Sequence, residues 1–176
     1  MKKLKEIELD FEIDKLTNSI ENSLSGEIFK TEITQISLKE SRQIKKLEWV
    51  FSWNAELKIA SNKVYKLTTL NNPTIIHGLI CLTDKQDHIF MPLIESAKFN
   101  KGSKKLYRGV AGNLVAFACK TSFEKGYDGV VSFIAKTQLI EHYKTSLGAK
   151  LFGGGNRMFI DTKESYSLVK QYFKNF

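Results

Sequence analysis

Proline and cysteine are scarce in this chain, and long apolar runs are missing. Two Pro in 176 residues leave no material for Pro-rich linkers or a polyproline tail. The two cysteines, Cys81 and Cys119, stand far apart in apolar surroundings. Neither has the spacing of a zinc or redox motif, so both are expected to be buried, reduced thiols, and no metal is expected. No stretch approaches the roughly 18 apolar residues that span a bilayer. The opening MKKLKEIELDFEIDK passes from basic residues straight into alternating Glu and Asp, without the apolar centre of a secretory leader. A soluble, cytoplasmic protein without a membrane partner is the expectation.

What is present is a globular balance: 42% apolar and 26% charged residues, with 12 Phe, 6 Tyr and 2 Trp to fill a core. The length suits a single domain over residues 1–176. The formal net charge of +8 favours an anionic partner, whether a charged cosubstrate, an acidic substrate or nucleic acid. The densest basic run is Lys98 to Arg108, KFNKGSKKLYR, and it leads directly into a turn of small residues.

Along the chain, Ile7 to Ile13 alternates apolar and acidic residues at period two, as a half-buried strand does, and Lys15 to Leu24 reads as a short helical turn. Glu27 to Ile36 is a strand rich in β-branched residues. Ser37 with Glu40 forms a capping box, which predicts a helix reaching Trp53-Asn54 with Leu47, Val50 and Phe51 on one face. Trp49 and Trp53 lie on a neighbouring face, as core or as an aromatic wall beside a substrate. Lys63 to Leu70, Ile75 to Leu82 and His88 to Ala97 read as a three-strand meander. Pro92 interrupts the third strand and marks an edge, a bulge or a place where pairing stops.

A helix follows from Gly112 or Asn113 to Lys125, ended by Gly126. Then come a buried strand Val130 to Ala135, a helix from Thr137 to Leu147 closed by Gly148, two short strands (Ala149 to Phe152 and Arg157 to Asp161), and a last helix capped at Asp161 or Thr162. The order predicts an α/β fold with a mixed sheet and helices on both faces.

The turn Arg108-Gly109-Val110-Ala111-Gly112-Asn113 carries no nucleophile. It offers bare backbone N–H groups at a helix N-terminus, the chemistry that holds a phosphate or pyrophosphate. The Gly spacing and late position exclude the dinucleotide-binding fingerprint, and Asn113-Leu114 stands where a P-loop requires Lys-Ser/Thr.

Tyr107 to Leu114, YRGVAGNL, resembles the pyrophosphate-binding loop of the GNAT superfamily of N-acetyltransferases. Arg108 and Gly109 fit that pattern; Ala111 and Asn113 stand where it has Gly and Gly or Ala. Downstream, HYKTSLG resembles the family's F-Y-x-x-L-G-F, with one extra residue between Tyr143 and Leu147. The resemblance covers roughly Lys63 to Asp161.

It implies a mostly antiparallel central sheet with two splayed strands, and acetyl transfer from acetyl-CoA to an amine-bearing acceptor by direct attack. On this resemblance Arg108, Gly109, Val110, Ala111, Gly112, Asn113 and Leu114 hold the pyrophosphate. The backbones of Ile94 and Ser96 contact the pantetheine arm, and Lys101, Lys104, Lys105 and Arg108 attract the phosphates. Tyr143 stands at the position of the general acid. Glu95, the acid within the strand that the resemblance makes the fourth, is the candidate base, with His88 the nearest titratable group upstream. His77 and His142 are read as structural. Two other readings stay open: a catalytically inactive acyl-CoA-binding module and a basic nucleic-acid or tRNA-binding protein. The acceptor and the assembly, including a homodimer, also stay open.

Overall fold

The computed structural model describes residues 6–14, 19–173 and 176. Its centre is a nine-stranded sheet. The strands are β1 (Ser19–Asn22), β2 (Ile28–Ile36), β3 (Asn62–Thr69), β4 (Gly78–Asp84), β5 (Ile89–Ser96), β6 (Tyr107–Arg108), β7 (Val131–Ile134), β8 (Lys150–Leu151) and β9 (Arg157–Ile160). They are ordered β6-β1-β2-β3-β4-β5-β7-β9-β8. Every named pair is antiparallel except β5 with β7. The α-helices are α1 (Trp53–Leu57), α2 (Val110–Glu124), α3 (Ile140–Leu147) and α4 (Thr162–Tyr172).

Helices cover both sheet faces, and β4 shows how. Its side chains alternate, and all but the last are buried. On one face, a Cβ at Gly78 would lie 2.6 Å from Val110 Cγ1 and 2.9 Å from Leu114 Cδ1, so α2 rests directly on that glycine. On the other face the Cys81 thiol lies 3.7 Å from the Glu56 carboxylate of α1. Both cysteines are buried, free thiols, and burial pushes the Cys119 thiol up to about 12.

The helix expected from Ser37 to Asn54 is a correction. The capping box forms, with Ser37 N donating to Glu40 Oε2 at 2.9 Å. However, the chain continues as separate 3₁₀ turns, Leu38–Gln43 and Lys46–Glu48, before the five-residue α1. Leu47 and Val50 are exposed, while Trp49 and Trp53 are the buried pair. The face set by local periodicity loses here to a tertiary anchor, the Glu95 carboxylate described below.

Lys15 to Leu24 is also corrected: Ser19–Asn22 is a strand, held between β2 and β6, while residues 15–18 lie outside the described residues. The expected strand Ile7 to Ile13 keeps its alternation, with Leu9 and Phe11 buried and Glu8, Asp10 and Glu12 exposed. It makes a single parallel bridge, Leu9 with Ala135, rather than a full ladder. Burying those two side chains contributes about 1.5–3 kcal/mol each.

Candidate active site

The site begins at Pro92. Strands β4 and β5 keep one register from Gly78–Ser96 to Cys81–Leu93, then shift by one residue before Thr83–Phe90. The extra residue falls at Met91-Pro92, a bulge where Pro has no N–H to give to a ladder. Pairing of β5 with β7 is confined to Ile89–Val131 and Phe90–Ser132. Beyond Phe90 the two parallel strands separate into a wedge.

The polarity of β5 inside the wedge follows from one bond. Ala97 N donates to His77 O at 2.9 Å, on the β4 side. At period two, Leu93 and Glu95 also turn their main-chain groups towards β4, and those of Ile94 and Ser96 turn to the open side. Ile94 and Ser96 line a cleft of about 250 Å³ together with Glu95, Val110, Ala111, Lys101 and Lys105.

At one end of the cleft stands the N-terminus of α2. Gly109 is its cap, with φ of +92°, and a Cβ there would lie 2.9 Å from Ser19 O. Both the left-handed backbone and the close approach require glycine. The helix starts at Val110, earlier than its expected start at Gly112 or Asn113. The first-turn N–H groups of Val110, Ala111 and Gly112 have no intrahelical acceptor and carry the positive end of the helix dipole.

Asn113 faces elsewhere. Its amide nitrogen donates to Gly109 O at 2.8 Å and Ser19 O at 3.2 Å, and its oxygen accepts from Thr31 Oγ1 at 3.1 Å. Leu114 is fully buried in the core. These two residues therefore hold the turn in shape from behind. Lys101 and Lys105 are drawn to carboxylates, Glu95 at 3.1 Å and Asp14 at 2.9 Å. Lys104 and Arg108 are exposed, and Arg108 pairs through its backbone with Glu21.

Glu95 is buried, and donors surround its carboxylate. Val50 N lies 2.7 Å from Oε1, and Trp53 Nε1 2.8 Å and Phe51 N 3.4 Å from Oε2. Lys101 Nζ adds a bond to Oε1 at 3.1 Å. With the acceptor sites of a carboxylate so occupied, no oxygen is left over to receive a proton from a substrate. The arrangement instead fixes the Val50–Trp53 segment against β5.

Tyr143, on α3, is buried beside the wedge. Its hydroxyl donates to Phe11 O at 2.6 Å, and Phe133 packs edge-on against its ring at 5.3 Å. Burial raises the phenol's pKa and keeps it protonated. His88 lies away from these groups, paired with Asp87 at 2.6 Å. His77 is structural: its Nδ1 accepts from Asn100 Nδ2 at 3.1 Å, an orientation fixed because Asn100 Oδ1 accepts from Tyr107 N. His142 Nε2 accepts from Ile13 N at 2.9 Å.

The acidic N-terminal segment is what sequence reasoning missed. Leu9 N donates to Ile134 O at 2.6 Å and Leu9 O accepts from Lys136 N at 2.9 Å, so the segment lies beside the end of β7, inside the wedge. Asp10, Phe11, Glu12 and Asp14 line the same cleft as Ile94 and Ser96. The period-two alternation signalled a half-buried strand; nothing local signalled its neighbour.

A sheet splayed at a bulged strand, with a helix N-terminus at the mouth of the wedge, is the fold of the GNAT-superfamily N-acetyltransferases. Solved structures agree. The AtaT–AtaR complex bound to DNA aligns with a TM-score of 0.55 and 16% identity, over 78% of this chain and 98% of that one. Spermidine N-acetyltransferase SpeG from Vibrio cholerae, in complex with CoA and spermine, aligns at 0.51 and 13%, over 77% and 98%. A mutant AtaT toxin bound to the C-terminus of the antitoxin AtaR and acetyl-CoA aligns at 0.51 and 13%, over 81% and 99%. No protein-family model and no curated protein matches the sequence. No described helix is long and apolar enough to cross a membrane, and no described His, Cys, Asp and Glu side chains group as a metal site.

Proposed function

We propose that the protein is an acetyl-CoA-dependent N-acetyltransferase that works by direct attack of an amine on the thioester. The observation that carries this reading is the opening of β5 from β7 immediately after Phe90, beside the N-terminus of α2. That geometry supplies an unpaired strand edge for an amide-bearing arm and backbone N–H groups for a pyrophosphate in one continuous groove. The SpeG and AtaT neighbours include complexes with CoA and with acetyl-CoA, which supports the cosubstrate assignment.

In this reading the N–H groups of Gly109, Val110, Ala111 and Gly112 bind the pyrophosphate, with Lys104, Lys105 and Arg108 adding positive charge. The main-chain groups of Ile94 and Ser96 bond the amides of the pantetheine arm. The acceptor amine, having lost a proton to water, attacks the thioester carbonyl. A C–N bond forms, the C–S bond breaks, and the Tyr143 hydroxyl protonates the departing thiolate. The nitrogen's remaining surplus proton returns, through solvent, to the Tyr143 phenolate and restores the acid. Glu95 acts as a positioning residue, holding the Val50–Trp53 wall of the cleft in place. Tyr143 is the residue assigned to the reacting atoms.

The fully occupied carboxylate of Glu95 also favours a second reading, an acyl-CoA-binding module without turnover. Calorimetric titration with acetyl-CoA, followed by a free-thiol release assay, separates the two. The amine panel includes a polyamine, a lysine peptide, a peptide N-terminus and an aminoacyl-tRNA. Thiol release with one acceptor establishes the transferase. Binding without release on any of them establishes the module, and no binding removes both.

A further inference from the structure

The wedge already holds a ligand, and it is the chain's own. Residues Glu6 to Asp14 run along it with a bond at nearly every step. The Glu6 carboxylate accepts from Arg157 at 3.2 Å, Glu8 from Asn156 at 3.0 Å and Asp10 from Lys136 at 2.7 Å. Leu9 bridges to the end of β7, Phe11 O accepts from Tyr143, and Ile13 N donates to His142. The Phe11 ring stacks on Tyr143 with centroids 4.5 Å apart.

The last contact matters most. The Asp14 carboxylate accepts from Gly109 N at 2.9 Å through one oxygen and from Lys105 Nζ at 2.9 Å through the other. An anion therefore sits at the N-terminus of α2, on the cap N–H assigned above to a pyrophosphate. The cleft left beside the segment, about 250 Å³, is below the 300–1,000 Å³ range usual for small-molecule sites.

We propose that Glu6–Asp14 is a displaceable intramolecular occupant of the acyl-CoA groove. Asp14 stands in for phosphate, and Phe11 shields the Tyr143 hydroxyl. This rests on the acyl-CoA reading above. The two occupants need the same groups: Gly109 N–H and Lys105 at one end, and the Tyr143 hydroxyl at the other. Acetyl-CoA binds only as the Phe11–Asp14 end leaves, so its apparent affinity falls by the fraction of time the groove is open. An anionic cosubstrate is suited to this exchange, because it replaces the carboxylate it expels. The fold thus couples cosubstrate binding to release of an acidic segment.

The test uses the full chain. Calorimetry measures acetyl-CoA affinity for the wild type, Asp14→Asn and Phe11→Ala. Hydrogen exchange read by mass spectrometry follows the peptide covering residues 6–14 in the wild type, with and without saturating acetyl-CoA. The expected results are about tenfold tighter binding by each variant and faster exchange of the 6–14 peptide when acetyl-CoA is bound. The exchange measurement needs no substitution, so it stands even if Phe11→Ala fails to fold. Wild-type binding with undiminished protection of residues 6–14 overturns the proposal while leaving the acyl-CoA reading intact. Failure of the wild type and both variants to bind acetyl-CoA at millimolar concentration removes the acyl-CoA reading, and this proposal with it.

Discussion

Tyr143 donates its hydroxyl proton to the carbonyl oxygen of Phe11 at 2.6 Å, and the two rings stack face to face. The phenol proposed to protonate a leaving thiolate is thus already aimed into the wedge between β5 and β7. Tyr143→Phe keeps the stacking and deletes the proton. Turnover in the thiol-release assay is expected to fall by about 10²–10⁴, the usual contribution of a general acid, with acetyl-CoA affinity changed little. Unaltered turnover removes Tyr143 from the chemistry.

Glu95 separates structural from chemical roles. Glu95→Ala leaves the buried Trp53 Nε1 and the partly exposed Val50 N, Phe51 N and Lys101 without their acceptor. The expected cost is about 1–3 kcal/mol in urea unfolding. Glu95→Gln preserves the shape, costs less, and is expected to retain turnover at temperatures where it stays folded. Loss of turnover in a Gln variant of undiminished stability contradicts the positioning role and restores Glu95 as a base.

Gly78 links packing to the groove. Gly78→Ala places a methyl group 2.6 Å from Val110 Cγ1 and 2.9 Å from Leu114 Cδ1, so these side chains must give way, and a shift of α2 is the expected outcome. Overpacking of this kind typically costs about 1–3 kcal/mol. Because Val110 begins α2, the shift also moves the N–H groups assigned to the pyrophosphate. Thermal denaturation and acetyl-CoA titration are expected to worsen together; a stability loss with unchanged affinity argues that the helix N-terminus takes no part in binding.

His77 gives stability a pH dependence of known sign. Burial lowers its pKa from 6.5 to about 4. Between those values the unfolded chain binds the proton and the folded chain does not, so acidification favours unfolding. Stability is therefore full above pH 6.5 and declines towards pH 4, by on the order of 2–3 kcal/mol for this group. Chemical denaturation of the wild type and His77→Gln across that range checks it: the variant's curve is expected to be flatter. Equal slopes assign the acid sensitivity to other groups.

Much of the fold was legible because its signals are local. The alternation in Ile28–Ile36, the apolar run ending β4, the glycine closing α3 and Pro92 in β5 each carry their meaning in a few residues. Local pattern singled out Gly109 and Tyr143, which the fold sets at the cap of α2 and on α3 beside Phe11; their roles toward an anion and a thiolate are proposals. The failures came from long-range partners. The continuous helix expected from Ser37 to Asn54 does not form, because a carboxylate on β5 captures Val50, Phe51 and Trp53. Ser19–Asn22 is a strand because β2 and β6 flank it. The acidic segment read as a half-buried strand, but its partner His142 stands 129 residues from Ile13, beyond anything a local pattern can reveal.

The most direct test is the position of the CoA sulfur in a crystal structure grown with acetyl-CoA. The pantetheine arm is expected between Ile94–Ser96 and the end of β7, with the pyrophosphate at Gly109 to Gly112. The sulfur is expected within hydrogen-bond reach of the Tyr143 hydroxyl, with Phe11 and Asp14 moved aside. Cosubstrate bound elsewhere, with Phe11 still covering Tyr143 and Asp14 still on Gly109, contradicts both the site and its displaceable occupant.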